Sequence, residues 1–396
     1  MTFRYLTSGE SHGKCLTSII EGVPAGFEIS EDFINKHLAR RQIGYGRGGR
    51  MQIEKDTVEI KSGIRFGFTT GAPICLEIKN KDWENWQIPM STTPVDTNDA
   101  LLQKIISEKK ITKVRPGHAD LAGALKYNQT DVRNILERSS ARETAARVAV
   151  GAIAMAILEK FQIEIFSHVT CIGSVELNAQ PPVDLLEIKV KAEKSDLRCI
   201  DENTYELMKK EIDKAKEQGD TLGGLVEVIL LNVPVGLGSH VQWDRRLDGL
   251  MAQAIMSIPA VKSVELGLGK NCANLPGSKV HDEIFQKKEG QYIRKTNNAG
   301  GIEGGMSNGE PVVIKAAMKA IPTMKTPLSS IDLKTGKEHL AHFERSDTCA
   351  VPACAVVAEA MAANVILQTF LEKFGADSFE EIKRNFENYT TIISKR

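Results

Sequence analysis

The sequence predicts an α+β fold in which apolar helices are sandwiched between antiparallel β-sheets. Three stretches, 140–160, 247–258 and 352–370, are rich in small apolar residues on every side, which is typical of buried helices. The predicted strands come in neighbouring pairs, and the helices do not alternate with them one for one. That order favours α+β over a doubly wound sheet. No linker-like composition divides the chain, so residues 1–396 are expected to form one domain.

The first 80 residues are expected to form paired strands and one helix. Ser30 precedes a stretch with apolar residues on one helical face, which predicts a capped helix over 31–41. The remaining segments are bounded by Gly and Pro turns and have strand-like composition. They predict strands at 3–7, 15–21, 57–63 and 72–80. The segment 83–97 is expected to be a loop.

Beyond residue 160, strand-like segments and charged segments succeed each other. The charged stretch 185–218 is expected to be a mostly helical, peripheral excursion. The glycine-rich stretch 297–309 is incompatible with an ordinary helix or strand and predicts a loop. Further strands are predicted at 163–177, 226–235, 261–268 and 312–318.

The stretch 137–147 is expected to begin the central helix. Ser140 and Glu143 have the Ser-x-x-Glu spacing of a capping box. The unpaired backbone N–H groups of a first helical turn attract anions, and Arg138 and Arg142 add positive charge. The stretch is therefore either an anion site at the start of a buried helix or a capped core helix with solvated arginines.

Composition narrows the class of protein. The 51 basic and 51 acidic residues balance, which argues against a nucleic-acid or other general polyanion binder. Seven scattered cysteines without a Cys-x-x-Cys pair suit a reducing compartment and argue against a disulfide framework and a structural zinc site. The N-terminus lacks a signal-peptide pattern, and no apolar run is expected to reach the ~18 residues that span a membrane. A cytoplasmic protein is expected.

Polar residues that suit catalysis lie in turns beside glycine or arginine. His12, His118 and Asp347 are of this kind. Several nearby arginines suit a multiply anionic small molecule, because the planar guanidinium binds carboxylate and phosphate through two hydrogen bonds. Solvated loop arginines are the alternative. These arginines are Arg41, Arg47, Arg50, Arg115, Arg138, Arg142 and Arg345.

Three other functional motifs are disfavoured. The segment 9–13 reads Gly-x-Ser-x-Gly, but the β-like residues 15–20 follow it where a serine hydrolase needs a helix. The Gly- and Arg-rich segment 46–50 is too short and too isolated for an RNA-binding tract. No Gly-x-Gly-x-x-Gly follows a predicted strand, so a Rossmann dinucleotide site is not indicated.

Taken together, five segments in this order resemble the chorismate synthase family. They are Gly9-Glu10-Ser11-His12-Gly13, the Arg115-Pro116-Gly117-His118-Ala119-Asp120 turn, the 137–151 stretch, the 300–309 loop and Arg345-Ser346-Asp347-Thr348-Cys349. The resemblance implies a lyase of the shikimate pathway that converts 5-enolpyruvylshikimate 3-phosphate to chorismate and phosphate by anti 1,4-elimination. This is the last shared step towards the aromatic amino acids.

The resemblance also implies partners and cofactors. The family needs reduced FMN without net redox change, with NADPH as the source of reductant. The resemblance also implies a homotetramer. Because this chain has no obvious reductase domain, it is expected to rely on a separate flavin reductase. A flavin-dependent redox enzyme and a non-catalytic phosphometabolite binder are the alternatives.

Residue roles are carried over by motif position. His12 would keep the flavin correctly protonated, His118 would supply a proton near the departing phosphate, and Asp347 would act as base together with flavin N5. Substrate would be bound by Arg50, Arg115 and Arg142, and no metal is implied. Cofactor contacts would fall on Arg41 and Arg47 (NADPH) and on Arg138, Ser139, Ser140, Pro259, Ala260, Gly304, Lys319, Ala320, Ile321, Pro322, Thr323 and Arg345 (flavin).

Two positions depart from the family pattern. Pro259 replaces a frequent asparagine, so a side-chain contact to flavin is lost there, while a backbone carbonyl contact can survive. Phe66 and Phe68 stand where many relatives carry His and Lys, which alters the local polarity. Neither departure removes a residue with an implied catalytic role.

Overall fold

A computed structural model describes residues 3–48, 55–96, 98–178, 184–288, 291–344 and 346–395. The α-helices are α1 Glu31–Gln42, α2 Ala100–Lys109, α3 Asp120–Lys126, α4 Arg133–Ser139, α5 Thr144–Glu159, α6 Leu186–Lys194, α7 Glu202–Gln218, α8 Leu247–Met256, α9 Gly277–Val280, α10 Val351–Phe374 and α11 Phe379–Ile393. Short 3₁₀ turns lie at Trp83–Asn85, Ala141–Glu143, Trp243–Arg245 and Gly269–Asn274.

The strands form two main sheets and several small hairpins. They are β1 Arg4–Ser8, β2 Cys15–Glu21, β3 Val58–Ser62, β4 Ile64–Arg65, β5 Phe68–Thr69, β6 Ile74–Lys79, β7 Glu164–Ile172, β8 Val175–Glu176, β9 Gly224–Leu231, β10 Val261–Leu266, β11 Ile284–Lys288, β12 Gln291–Arg294, β13 Ile302–Glu303, β14 Met306–Ser307, β15 Val312–Met318, β16 Ser329–Asp332 and β17 Lys337–Leu340. The four-stranded sheet has the order β1-β2-β6-β3, and the five-stranded sheet has the order β10-β15-β9-β7-β8. Every neighbouring pair in both sheets is antiparallel.

Helices α5 and α10 form the layer between the two sheets. Helix α5 packs on β2 and β6, helix α10 packs on β7 and β9, and the two helices pack against each other. At their crossing, a Cβ atom on Gly151 would lie only 2.6 Å from Ala360 Cα and 2.8 Å from its carbonyl oxygen. Glycine therefore permits the close approach. The predicted α+β sandwich is confirmed, whereas the extent of the domain, residues 1–396, stays a prediction.

Helix α10 corrects one expectation about apolar runs. By length and composition it is able to cross a membrane, although the sequence was expected to contain no such run, and 94% of its apolar window is buried within the protein. Its one deeply buried charge, Glu359, is 0% exposed and binds Arg40 and Arg198. The helix is apolar because the five-stranded sheet and the neighbouring helices cover it, as in a core helix.

The start of the central helix differs from the predicted capping box. Ser140 has extended backbone and its hydroxyl accepts from Arg142 N–H at 3.3 Å, which caps a 3₁₀ turn. Glu143 does not reach back to Ser140, because it binds the Arg147 guanidinium at 3.0 Å. Helix α5 therefore starts at Thr144, and the residues before Ser140 form the separate helix α4.

The structure contains several helices that the sequence patterns did not predict. Helices α2, α3, α4 and α11 were not predicted, although Ser378 caps α11 by accepting from Glu381 N–H. The segment 185–218 is helical as predicted but divides into α6 and α7, and Asp201 caps the second by accepting from Thr204 N–H at 2.8 Å. Its charged, half-exposed faces agree with a peripheral position.

Candidate functional site

A cavity of about 450 Å³ lies where helices α5 and α10 begin. The turn 140–142 before α5 lines it, and so do Ala350 and Ala353 at the start of α10. Most of the predicted site residues, which are far apart in sequence, meet in its wall. They are His12, Arg41, Arg47, Arg115, His118, Ser139, Ser140, Arg142, Pro259, Ala260, Lys319, Ile321, Pro322, Thr323 and Asp347.

Some predicted site residues are elsewhere. The Arg138 guanidinium donates to the carbonyl oxygens of Thr7 and Gly9, at 2.8 and 3.1 Å, and so ties α4 to β1. Gly304 lies in the turn between β13 and β14, and neither it nor Ala320 lines the cavity. Arg50 and Arg345 lie outside the described residues. These five assignments stay predictions.

His12 is held by a carboxylate at its edge and by an indole at its face. Its Nδ1 atom lies 2.8 Å from Glu137 Oε1, and its backbone N–H donates to Glu137 Oε2 at 2.7 Å. The imidazole stacks on Trp86 with 3.9 Å between the ring centres. Arg133 donates to Glu137 Oε1 at 2.8 Å, so the carboxylate binds both His12 and Arg133.

His118 is held by Asp120, which is fully buried. Its Nδ1 atom lies 2.6 Å from Asp120 Oδ1, and Arg115 donates through Nε to Asp120 Oδ2 at 2.8 Å. Burial opposes ionisation of Asp120, but the hydrogen bonds from His118 and Arg115 hold the pKa of its carboxyl group well below the usual range. Arg115 also donates to Thr323 Oγ1 at 3.0 Å, which joins two parts of the cavity wall.

Asp347 is anchored to the glycine- and arginine-rich loop. Its Oδ1 atom accepts from Gly48 N–H at 2.6 Å, and its Oδ2 atom lies 3.2 Å from Arg47. Thr348 N–H donates to the Gly46 carbonyl at 2.9 Å. The loop is therefore held against Asp347 and Thr348 by hydrogen bonds to the carboxylate and to the backbone.

Asp56 joins two of the predicted arginines. It accepts from Arg41 at 2.9 Å and from Arg142. The side chains of Asp56, Arg41 and Arg142 are only 2, 5 and 8% exposed. Burial opposes ionisation of Asp56, but the charges of the two guanidinium groups lower the pKa of its carboxyl group.

The cavity also has an apolar wall, formed by the loops before β10 and after β15. Ile258, Pro259 and Ile321 are among its residues. Ala260 has φ of 70°, and its carbonyl accepts from Lys319 N–H at 2.9 Å, while the Lys319 ammonium donates to the Gly117 carbonyl. Of the two departures, Pro259 lies in this wall, whereas Phe66 and Phe68 are exposed in the β4–β5 hairpin and do not line the cavity.

The arginines at the cavity are buried and paired. Arg47, Arg115 and Arg142 have side chains that are 9, 6 and 8% exposed, so the alternative of solvated loop arginines is wrong for these residues. Each has an acidic partner, and the first turns of α5 and α10 add the positive end of a helix dipole. The arrangement favours a ligand with several negative charges and one flat apolar face.

Sequence analysis missed the residues that orient the assigned groups. Glu137 and Asp120 lie inside quoted motifs, yet neither was given a role. Asp56 and Trp86 lie in segments without a recognised pattern. An Arg133–Glu137 spacing of four residues predicts an ion pair on a helix, but no local signal connects Glu137 to His12, 125 positions away.

The fold and the cavity define a class of protein, an α+β enzyme with a buried, arginine-lined site and carboxylate-paired histidines. The family model of chorismate synthase matches residues 3–371. The chain therefore belongs to the chorismate synthase family, and its activity is that of this family of carbon–oxygen lyases.

Similarity to individual relatives agrees with this family assignment. The chain is 54% identical over 390 residues to the chorismate synthase of Alkaliphilus metalliredigens (strain QYMF), which covers 98% of this chain and 100% of the relative. It is also 54% identical over 392 residues to that of Brevibacillus brevis (strain 47 / JCM 6285 / NBRC 100599), covering 99% and 100%. A crystal structure of a chorismate synthase matches with a TM-score of 0.79 and 44% identity, covering 100% of this chain and 99% of that chain.

Proposed function

We propose that the cavity binds 5-enolpyruvylshikimate 3-phosphate and eliminates its phosphate to give chorismate, with reduced FMN as cofactor. The observation that carries the proposal is the meeting of His12, His118 and Asp347 in one wall with buried arginines. A substrate with two carboxylates and one phosphate needs several such cations. Departure of phosphate needs a proton or a cation close by.

The residues present fit a flavin as well as the substrate. Arg41 Nε and Arg47 Nε are buried and have no hydrogen-bond acceptor among the described residues, so an anionic group of a bound ligand, such as the NADPH to which these two arginines are assigned, would satisfy them. The apolar wall around Ile258 and Pro322 suits one face of a flat ring. When bound, reduced FMN supplies the reducing chemistry that the elimination requires, with no net change of redox state. We propose that Ser139, Ser140, Ala260 and the 319–323 segment hold it, together with Arg138, Gly304 and Arg345.

The histidines are proposed as proton donors. His118 hydrogen-bonds a buried carboxylate through Nδ1, which stabilises a protonated ring, and Nε2 is then the atom that donates to the departing phosphate. His12, paired with Glu137 in the same way, maintains the protonation of the cofactor. Imidazole suits both roles because it titrates near neutral pH.

Asp347 is proposed as the base. Its carboxylate is an acceptor that a Gly48 N–H and the Arg47 guanidinium hold in place. Arg115 and Arg142, with Arg50, are proposed to bind the anionic groups of the substrate, whereas Arg41 and Arg47 are proposed to serve NADPH. Arg115 is prepared for this role because Asp120 and Thr323 fix its guanidinium before a ligand arrives.

We further propose a cytoplasmic homotetramer supplied with reduced flavin by a separate reductase. Exposed apolar side chains that lie next to each other support contacts between copies of the chain, because monomeric proteins rarely expose large contiguous apolar patches. Examples are Phe285 and Tyr292 on the β11–β12 hairpin and Trp243 before α8, which are 48, 57 and 77% exposed.

The experiment is an assay of chorismate and phosphate formation from 5-enolpyruvylshikimate 3-phosphate under three conditions: without flavin, with oxidised FMN, and anaerobically with chemically reduced FMN. The proposal expects equal amounts of both products with reduced FMN only. Product formation without flavin would contradict the cofactor assignment. Tight substrate binding without phosphate release would leave a phosphometabolite binder.

A further inference from the structure

Glu137 is a buried carboxylate to which the proposed reaction assigns no role. Its side chain is 2% exposed and accepts from His12 twice, through Nδ1 at 2.8 Å and through the backbone N–H at 2.7 Å. Arg133 donates to the same carboxylate at 2.8 Å. Burial opposes ionisation of Glu137, but the hydrogen bonds from His12 and Arg133 lower the pKa of its carboxyl group. The group is therefore an anion over the physiological pH range.

Stacking on Trp86 fixes the plane of the His12 ring, in addition to the contact of its Nδ1 edge with Glu137. Trp86 stacks on it with an interplanar angle of 26°, and Asp82 accepts from the Trp86 indole N–H at 3.0 Å. Lys109 Nζ and the Arg133 guanidinium lie 4.5 and 5.0 Å from the centre of the indole ring. Cations beside the aromatic face hold the indole in place. The imidazole has little freedom to turn its Nδ1 edge away from Glu137.

This geometry determines which nitrogen exchanges protons. A carboxylate accepts hydrogen bonds only, so the Nδ1 atom of His12 carries a proton. Nε2, on the other edge of the ring, is then the atom that gains or loses a proton in contact with a bound molecule. The same arrangement recurs at His118, whose Nδ1 atom lies 2.6 Å from Asp120 Oδ1. The imidazole rings of two independent carboxylate–imidazole pairs thus line one cavity.

We propose that Glu137 is a positioning residue that holds His12 in the Nδ1–H form and stabilises its protonated state. The inference rests on the proposed function, in which His12 must carry a proton. The charged groups around the pair are Arg133 from α4, Lys109 from α2, Asp82 behind Trp86, and Glu344, which accepts from Arg133 at 2.9 Å. Among these groups, Glu137 alone is hydrogen-bonded to the imidazole of His12 in the described contacts.

The first test is the variant Glu137→Gln, assayed for phosphate release across the pH range. The amide has the shape of the carboxylate but no charge, so the protonated form of His12 is less favoured. We expect kcat to fall by about 10-fold or more, and the alkaline limb of the pH profile to move about one unit lower. KM should stay within about twofold, because no described hydrogen bond or ion pair joins Glu137 to Arg115 or Arg142. Glu137→Asp, which keeps the charge, should restore part of the kcat.

A matched control variant separates positioning from a general structural role. Glu143→Gln removes another buried carboxylate, one that pairs with Arg147 and does not touch a histidine, and it should leave the alkaline limb in place. A fall in kcat for Glu137→Gln with no movement of that limb would overturn the proposal, because it would indicate structural damage only.

A second readout does not depend on turnover. In ¹⁵N-histidine-labelled protein, NMR signals report the protonation of each ring nitrogen, and His12 is assigned with the variant His12→Asn. We expect His12 to lose its proton at lower pH in Glu137→Gln than in the natural sequence. Identical titration of His12 in both proteins would refute the inference, whether or not phosphate is released. A shifted titration in a protein that releases no phosphate would refute the proposed function alone.

Discussion

Asp56 allows the electrostatic account of the cavity to be tested quantitatively. In Asp56→Asn, one amide oxygen replaces the carboxylate that accepts from both Arg41 and Arg142. The amide NH₂ then faces a guanidinium, where two donors oppose each other. Because all three side chains are at least nine-tenths buried, water compensates for only part of the lost interaction. Removing one partner of a buried ion pair costs about 3–5 kcal/mol, and we expect a decrease of that size in the free energy of unfolding.

The assay is urea unfolding at one fixed protein concentration, followed by tryptophan fluorescence, with and without inorganic phosphate. An anion that enters the cavity can replace the missing charge, so phosphate should stabilise Asp56→Asn more than the natural sequence. The control is Glu372→Gln, which breaks an exposed pair with Arg245 and should change stability by less than about 1 kcal/mol. A decrease in the free energy of unfolding for Asp56→Asn as small as that of the control would refute the reasoning.

Three further predictions concern the base, the helix crossing and acid stability. Asp347→Asn should leave flavin binding intact but lower turnover by ~10²-fold or more; near-normal turnover in the phosphate assay would remove Asp347 from the mechanism. Gly151→Ala places a Cβ 2.6 Å from Ala360 Cα and should cost about 1–3 kcal/mol in urea unfolding; an unchanged midpoint would mean that α5 and α10 do not cross this closely. Burial opposes ionisation of Glu344 and Glu193. At Glu344 the His342 ring, whose Nε2 atom lies 3.5 Å from the carboxylate, and the charge of Arg133 lower the pKa from 4.5 to about 2. At Glu193 a hydrogen bond from Arg40 and the charge of Arg198 do the same. Since a lowered folded-state pKa stabilises the fold at higher pH, stability should decline as the pH falls from about 4.5 towards 2; a flat profile over that interval, measured by urea unfolding, would contradict these ion pairs.

The layers of the fold were predictable because their signals are local. An almost wholly apolar stretch such as 144–158 indicates a buried helix wherever it lies, and strand pairs separated by short turns indicate antiparallel sheets. The Ser140 capping box failed for an equally local reason, since Glu143 has a stronger partner in Arg147 one turn further on. Helix α11 was missed although its sequence is amphipathic and capped by Ser378.

The site was predictable only in part. The turns around His12, His118 and Asp347 carry family motifs, and the structure brings these residues together in one cavity wall. The partners of His12 and Asp347 follow from tertiary contacts that no spacing encodes, whereas Asp120 lies in the same turn as His118. Asp56 reaches Arg142 across 86 positions in the sequence, and its own segment has no distinguishing pattern.

The central claim is that this cavity performs an elimination in which the flavin is not consumed. It is tested most directly by the number of phosphate ions released per reduced FMN oxidised, measured anaerobically in one cuvette without NADPH. We predict many phosphates and many chorismates per flavin, with the flavin still reduced when the substrate is exhausted. One phosphate for each flavin oxidised would contradict the account and identify a flavin-dependent redox reaction.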